Sequence, residues 1–211
     1  NLFNSISYEL RRVNAKEGLQ YAEKAIKLSR EIGYKKGEAE GNRFGGINLY
    51  RLSQFDSALV YHARAENIFV ELKDEHGLAA NNNNIGNIYL ARTALPEALK
   101  YYQKALAINE RIDNQADLAN NLTNIGNIHS NSSQFSEALK SYNRARLIYN
   151  RTSNRYSEAL TLGNIGSIYM SLGDYLNAME NNQLSLKMYD SLGDQSGKAD
   201  NLVRMANILQ A

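Results

Sequence analysis

The sequence has no Cys, so disulfides and thiolate-bound zinc are excluded. Absent thiols suit an oxidising and a reducing compartment equally well. There is a single Pro, Pro96, which fits a chain that is mostly helix joined by short turns. No run of about 18 apolar residues is present, so no segment reads as a membrane span. Charge of one sign is also lacking. Lys and Arg number 24 against 22 Asp and Glu, a net +2, which argues against nucleic acid or an acidic membrane as the main partner. The chain opens at Asn1 without Met or a signal-like segment and closes inside a helical pattern. It therefore reads as a piece of a longer protein, placed in the cytoplasm or alternatively a bacterial periplasm.

What is present is repetition. A period of 40 divides the 211 residues into 1–36, 37–76, 77–116, 117–156, 157–196 and a partial sixth repeat, 197–211, all in one domain. Gly46, Gly86, Gly126 and Gly166 recur in register, followed by Ala206. Gly18, Ala58, Ala98, Ala138 and Ala178 form a second small-residue column, and Ala25, Ala65, Ala105, Ala145 and Ser185 a third. A Gly inside a helix costs about 1 kcal/mol relative to Ala, so a repeated one points to a close approach of packed helices. Apolar columns accompany the small ones, such as Ile85, Ile125 and Ile165. Within one repeat Ala98, Tyr102, Ala105 and Ile108 share a helical stripe.

Each repeat thus reads as a helix, a turn and a second helix. Turns are expected at Ser53-Gln54, Ser132-Ser133-Gln134 and Gly173-Asp174, with further breaks at Gly33, Gly77 and Gly193-Asp194. Pro96 belongs in the first turn of a helix, where its missing N–H is not needed. The fold class is all-α, with five helix pairs and one terminal helix stacked around a shared elongated core.

The motif residues resemble the tetratricopeptide repeat. The third repeat carries Ile85, Gly86, Tyr89, Ala98, Tyr102 and Ala105, and the fourth Ile125, Gly126, His129, Ala138, Tyr142 and Ala145. The fifth departs at Asn182 and Ser185, the second at Leu49 and His62, and the first is the most degenerate. The usual period of this family is about 34 residues. A period of 40 is similar to that of kinesin light chains, of Leu-Gly-Asn-repeat scaffolds and of bacterial signalling arrays. Armadillo and HEAT repeats share the length range but not the Gly/Ala grid. The resemblance implies a right-handed α-α superhelix whose first helices line a concave groove.

Measured from each repeated Gly, the residues two before and one after lie on one helix face. They give Asn4, Phe44, Asn84, Asn124, Asn164 and Arg204 in one column, and Ser7, Ile47, Asn87, Asn127, Ser167 and Asn207 in the other. Arg43, Asn83, Thr123, Asn131 and Val203 lie beside them. A carboxamide offers two donors and an acceptor, which match an extended peptide backbone. Helices about 8–10 Å apart correspond to about three extended residues at about 3.3 Å each. Arg43, Phe44, Ile47, Tyr50 and Arg51 form a candidate anchor patch in the second repeat. The same Asn columns could equally cap helices, bridge repeats or keep the groove wet, and the patch could be local packing. In the run Asn81–Asn84, two residues are expected exposed and two in the groove. A clamp for a C-terminal carboxylate is disfavoured, because Asn83 and Thr123 stand where its basic residues belong, and Arg43 and Arg204 are isolated.

No catalytic constellation, metal site or cofactor motif is visible. His62 and His129 occupy aromatic positions of the grid and read as core, and Gly86-Asn87 is repeat grammar rather than a phosphate loop. Function is therefore expected in binding a protein or peptide partner, without chemistry of its own, within a larger signalling or scaffolding protein. The alternatives are a self-associating array docking through its open terminal repeat, and a regulatory segment of a kinase or cyclase whose catalytic domain lies elsewhere.

Overall fold

The computed structural model describes residues 2–211. Among the described residues there are eleven helices and no strand. They are α1 (Leu2–Leu10), α2 (Ala15–Glu31), α3 (Lys35–Arg51), α4 (Phe55–Glu71), α5 (Glu75–Ala91), α6 (Leu95–Arg111), α7 (Gln115–Asn131), α8 (Phe135–Arg151), α9 (Arg155–Ser171), α10 (Tyr175–Leu192) and α11 (Gln195–Leu209). From α2 onward a helix begins every twenty residues, so each forty-residue repeat is two copies of one helix-and-turn metre.

The turns keep this metre by one hydrogen-bond device. After α3 the Ser53 N–H reaches the Tyr50 carbonyl at 2.9 Å and the Gln54 N–H reaches the Leu49 carbonyl at 2.9 Å. Ser53 sits between them with φ of 58°. This is a Schellman closure, which satisfies carbonyls left over at a helix end. Left-handed residues recur at the equivalent places as Gly33, Lys73, Thr93, Asp113, Ser133, Ser153, Gly173 and Gly193. Most of them are not Gly, although an L-residue costs roughly 1–2 kcal/mol in that conformation. The next residue often caps the following helix: Asp74, Asn114, Asn154, Asp174 and Asp194 each accept from a first-turn N–H, as Asn14 does before α2. Such a cap contributes about 1 kcal/mol. Pro96 lies in the first turn of α6, as its missing N–H suggests.

Gly77 does not break the chain. It lies in the first turn of α5, where an added Cβ would collide with the Phe69 ring of α4. Gly197 makes the same room for Tyr189. The expected breaks at Gly33, Gly173 and Gly193 do fall in turns with positive φ.

The chain divides into two compact halves, Asn1–Ile112 and Asp113–Ala211. In the first, α1 packs on α2, α3 on α4 and α5 on α6, while α2 meets α3 and α4 meets α5. In the second, α7 packs on α8, α8 on α9, α9 on α10 and α10 on α11. Ala39, Ala65 and Phe69 centre one cluster of the first half, and Leu49, Ala58 and Ile88 another. Ala138, Tyr142, Ile165 and Ile168 centre a cluster in the second.

The Gly column has a specific physical cause. A Cβ on Gly46 would stand 2.6 Å from His62 Nε2, on Gly86 2.7 Å from the Tyr102 ring, and on Gly126 2.6 Å from the Tyr142 ring. At Gly166 it would strike the Asn182 amide. Each Gly opens a slot in the first helix, and a side chain from the paired second helix fills it. The slot residues His62, Tyr102, Tyr142 and Asn182 are all buried.

Candidate functional site

The two Tyr fillers reach through to the face bearing the Asn columns. The Tyr102 hydroxyl donates to Asn87 Oδ1 at 2.7 Å, and the Tyr142 hydroxyl donates to Asn127 Oδ1 at 2.7 Å. Burial pushes both phenols up from their ordinary pKa, Tyr142 to about 12, so both stay protonated donors. Each contact fixes its carboxamide with the oxygen turned inward. The amide N–H groups of Asn87 and Asn127 are left to face outward. Where the filler is His62 or Asn182, the neighbouring position is Ile47 or Ser167 rather than Asn.

His62 is fully buried. Asn81 donates its amide N–H to the His62 carbonyl at 3.0 Å, which turns Asn81 Oδ1 toward His62 Nδ1 at 2.8 Å. Nδ1 therefore carries the proton, and Nε2 is a buried acceptor with no protein partner. Burial lowers the His62 pKa from the ordinary value to about 4, with nearby Arg43 adding to the effect and the Asn81 hydrogen bond opposing it. His129 differs from the expected core role. It is half-buried and its Nδ1 lies 2.6 Å from Gln134 Oε1, at the turn after α7.

The Asn run of α5 also departs from expectation. Asn81 and Asn82 are not exposed but buried. Asn81 bridges to His62, and Asn82 donates to the Leu78 carbonyl at 2.8 Å. Asn83 and Asn84 are half-buried and line a groove.

In the first half, Arg43, Ile47, Tyr50 and Arg51 of α3 and Asn83, Asn84 and Asn87 of α5 line one groove of about 390 Å³. Its remaining wall is Tyr8 of α1 with Arg11 and Arg12 of the turn that follows, and His62 lies beneath. Sequence reasoning passed over Arg11 and Arg12 because the first repeat is degenerate; their signal is the Arg-Arg pair three and four residues after Tyr8. Phe44 lies outside this groove. Its ring is 5.2 Å from Tyr8 and it lines a neighbouring hollow with Glu9, Lys36 and Glu40. Arg43 is committed locally: its guanidinium pairs with Glu40 at 2.6 Å and lies 4.4 Å from the Phe44 ring centre.

In the second half, Thr123, Asn124, Asn127 and Asn131 stand on α7, Asn164 and Ser167 on α9, and Arg204 and Asn207 on α11. Asn131 and Asn207 are exposed and the others half-buried. Thr123 donates to the Ala119 carbonyl at 3.0 Å and its hydroxyl lies 3.2 Å from that of Tyr149. Ser167 donates to the Gly163 carbonyl at 3.0 Å and accepts from Arg204 Nη1 at 3.0 Å. These two hydroxyls are held by the protein itself. Among the described residues no three His, Asp or Glu side chains gather as a metal site requires, and no helix is long and apolar enough to cross a membrane.

Residues 75–151 and 159–191 each match a tetratricopeptide-repeat family model, together about half of the chain. The chain is a tetratricopeptide-repeat protein. Its structure superposes on BtubC (BKLC) from P. vanneervenii with a TM-score of 0.73 and 16% identity, over 94% of this chain and 92% of that one. It superposes on a Rap protein complexed with competence and sporulation factor with a TM-score of 0.70 and 14% identity, over 100% of this chain and 65% of that one. A STAND protein with a tetratricopeptide repeat sensor from Pyrococcus horikoshii gives 0.78 and 17%, over 94% of this chain and 31% of that one. At these identities the likeness is one of fold, that of a tetratricopeptide solenoid. No curated protein sequence matches the chain significantly.

Proposed function

We propose that this tetratricopeptide array is a protein-interaction module that holds an extended peptide against the inner helices of its first half, as part of a larger signalling or scaffolding protein. The observation that carries this reading is the groove of about 390 Å³ shared by α1, α3 and α5, where aromatic, aliphatic, Arg and carboxamide side chains converge. Three inner helices about 8–10 Å apart span a length of about five or six extended residues. Outward amide N–H groups such as that of Asn87 suit the carbonyls of such a segment, each net hydrogen bond contributing about 0.5–1.5 kcal/mol. The Rap structure with its bound factor supports the reading by analogy of fold. The Asn124, Asn127 and Asn164 positions of the second half offer a similar surface.

The test is to pan a random-hexapeptide display library against the whole chain and against Ile47→Trp, which fills the groove from a half-buried position. Peptides should be enriched by the chain and not by the variant, with thermal melts of the two proteins alike. A library that yields no enriched sequence, or equal enrichment by both proteins, overturns the reading.

A second reading has one observation in its favour. On α11, Leu202 and Leu209 are 52% and 78% exposed, while Leu122 and Leu162, the equivalents of Leu202, are buried on α7 and α9. This bare face would let two copies associate. Light scattering should then show mass rising with concentration, and Leu202→Glu should abolish the rise.

A further inference from the structure

Charge in this groove is one-sided. Arg11, Arg12, Arg43 and Arg51 line it, and no Asp or Glu does. Two other hollows of the same half are mixed: one pairs Glu23 and Glu31 with Lys27, Arg30 and Arg64, and the other holds Glu9, Lys36 and Glu40. The asymmetry is local, since the whole chain carries only +2.

The arginines also differ in how they are held. Arg43 is neutralised by Glu40. Arg11, Arg12 and Arg51 form no ion pair with a carboxylate among the described residues. Arg11 lies 3.3 Å over the Tyr8 ring and donates to the Tyr8 carbonyl, and Arg51 lies 5.9 Å from the Tyr50 ring centre. A ring face orients a guanidinium without cancelling its charge, and the N–H edge remains able to grip a carboxylate in bidentate fashion. At the floor, Asn84 Nδ2 is buried with no protein partner, and Asn87 is locked by Tyr102 with its donors outward. The available donors of Arg11, Arg12, Arg51 and Asn87 thus line one groove.

Resting on the peptide-binding reading above, we infer that the occupant of this groove is an acidic peptide segment whose side-chain carboxylates are taken by Arg11, Arg12 and Arg51 and whose main chain offers a carbonyl to Asn87. A nucleic-acid strand fits less well. Its phosphates call for a positive track longer than one groove, and a chain of +2 sets up little steering field. The inference does not rest on Arg43, so it is separate from a clamp for a chain terminus.

The hexapeptide panning supplies the probe. The selected pool should carry Asp or Glu in at least two positions. A labelled peptide from that pool should bind at least tenfold more weakly to Arg12→Glu and to Arg51→Glu, and equally well to Arg64→Glu, an α4 residue outside the groove. Replacing its acids by Gln or Asn should weaken binding to the unaltered chain to the same degree, and added salt should weaken it further. A selected pool without acidic residues, still dependent on an open groove at Ile47, would keep peptide binding and overturn the acidic occupant. An empty selection overturns both. A six-nucleotide single-stranded DNA that binds more tightly than the peptide, with the same dependence on Arg12 and Arg51, reassigns the groove to phosphates and overturns the inference.

Discussion

The second and third repeats solve one packing problem in two ways. Both leave a Gly on the first helix, and both fill the gap with a planar ring from the second. In the third repeat Tyr102 crosses the gap and holds Asn87, so the inner face shows an oriented amide. In the second, His62 is too short to emerge. Asn81 of the next helix anchors it instead, and the inner face shows Ile47. A Tyr that crosses the gap thus orients an amide above it, whereas His62 leaves an apolar side chain there.

Removing the larger filler should break the comparison most visibly. Tyr102→Ala empties a fully buried ring site and should cost about 4 kcal/mol in denaturant unfolding. Asn182→Ala, at the same slot of the fifth repeat, should cost only about 1 kcal/mol. Equal losses would show that the slot is not what distinguishes the repeats.

The next effect is one of pH. Folded His62 has a pKa near 4, below its ordinary value of about 6.5 in the unfolded chain. The unfolded chain takes up the proton first. Stability should therefore be full above pH 6.5, fall as pH drops toward 4, and lose about 3 kcal/mol in all from this group. In His62→Asn, which borrows the filler of the fifth repeat, that part of the pH slope should vanish while carboxylate titration remains. An unchanged slope in the variant would mean His62 is not the group responsible.

A subtler change separates the ring from its hydroxyl. Tyr102→Phe keeps the ring but frees Asn87, and should cost about 1 kcal/mol. Smallest is a control outside the slots: Thr93→Gly relieves a β-branched residue at φ of 58° and should raise stability by up to about 1 kcal/mol, after the greater freedom of Gly in the unfolded chain is subtracted.

Much of the architecture was legible because its cause is periodic. The Gly and Ala columns gave the repeat, and i, i+3 spacing put Asn84 and Asn87 on one face. Gly77 was misread because Gly has two uses. A turn needs its positive φ, whereas a helix beside Phe69 needs its missing Cβ, and only the position in the twenty-residue metre tells them apart. Asn81 and Asn82 looked like surface residues because polarity alone does not reveal a partner such as His62, nineteen residues earlier than Asn81. For the groove, the neutralisation of Arg43 by Glu40 and the inward lock on Asn87 depend on rotamers that no spacing specifies.

The regular metre makes length a quantised property of this molecule. One residue added inside a helix would turn everything downstream by about 100° about that axis, and no filler would meet its gap. A whole forty-residue copy would instead bring its own Gly, its own filler and its own pair of turns. Growth and loss in such a chain should thus proceed by complete repeats, each newcomer free to present a different inner surface.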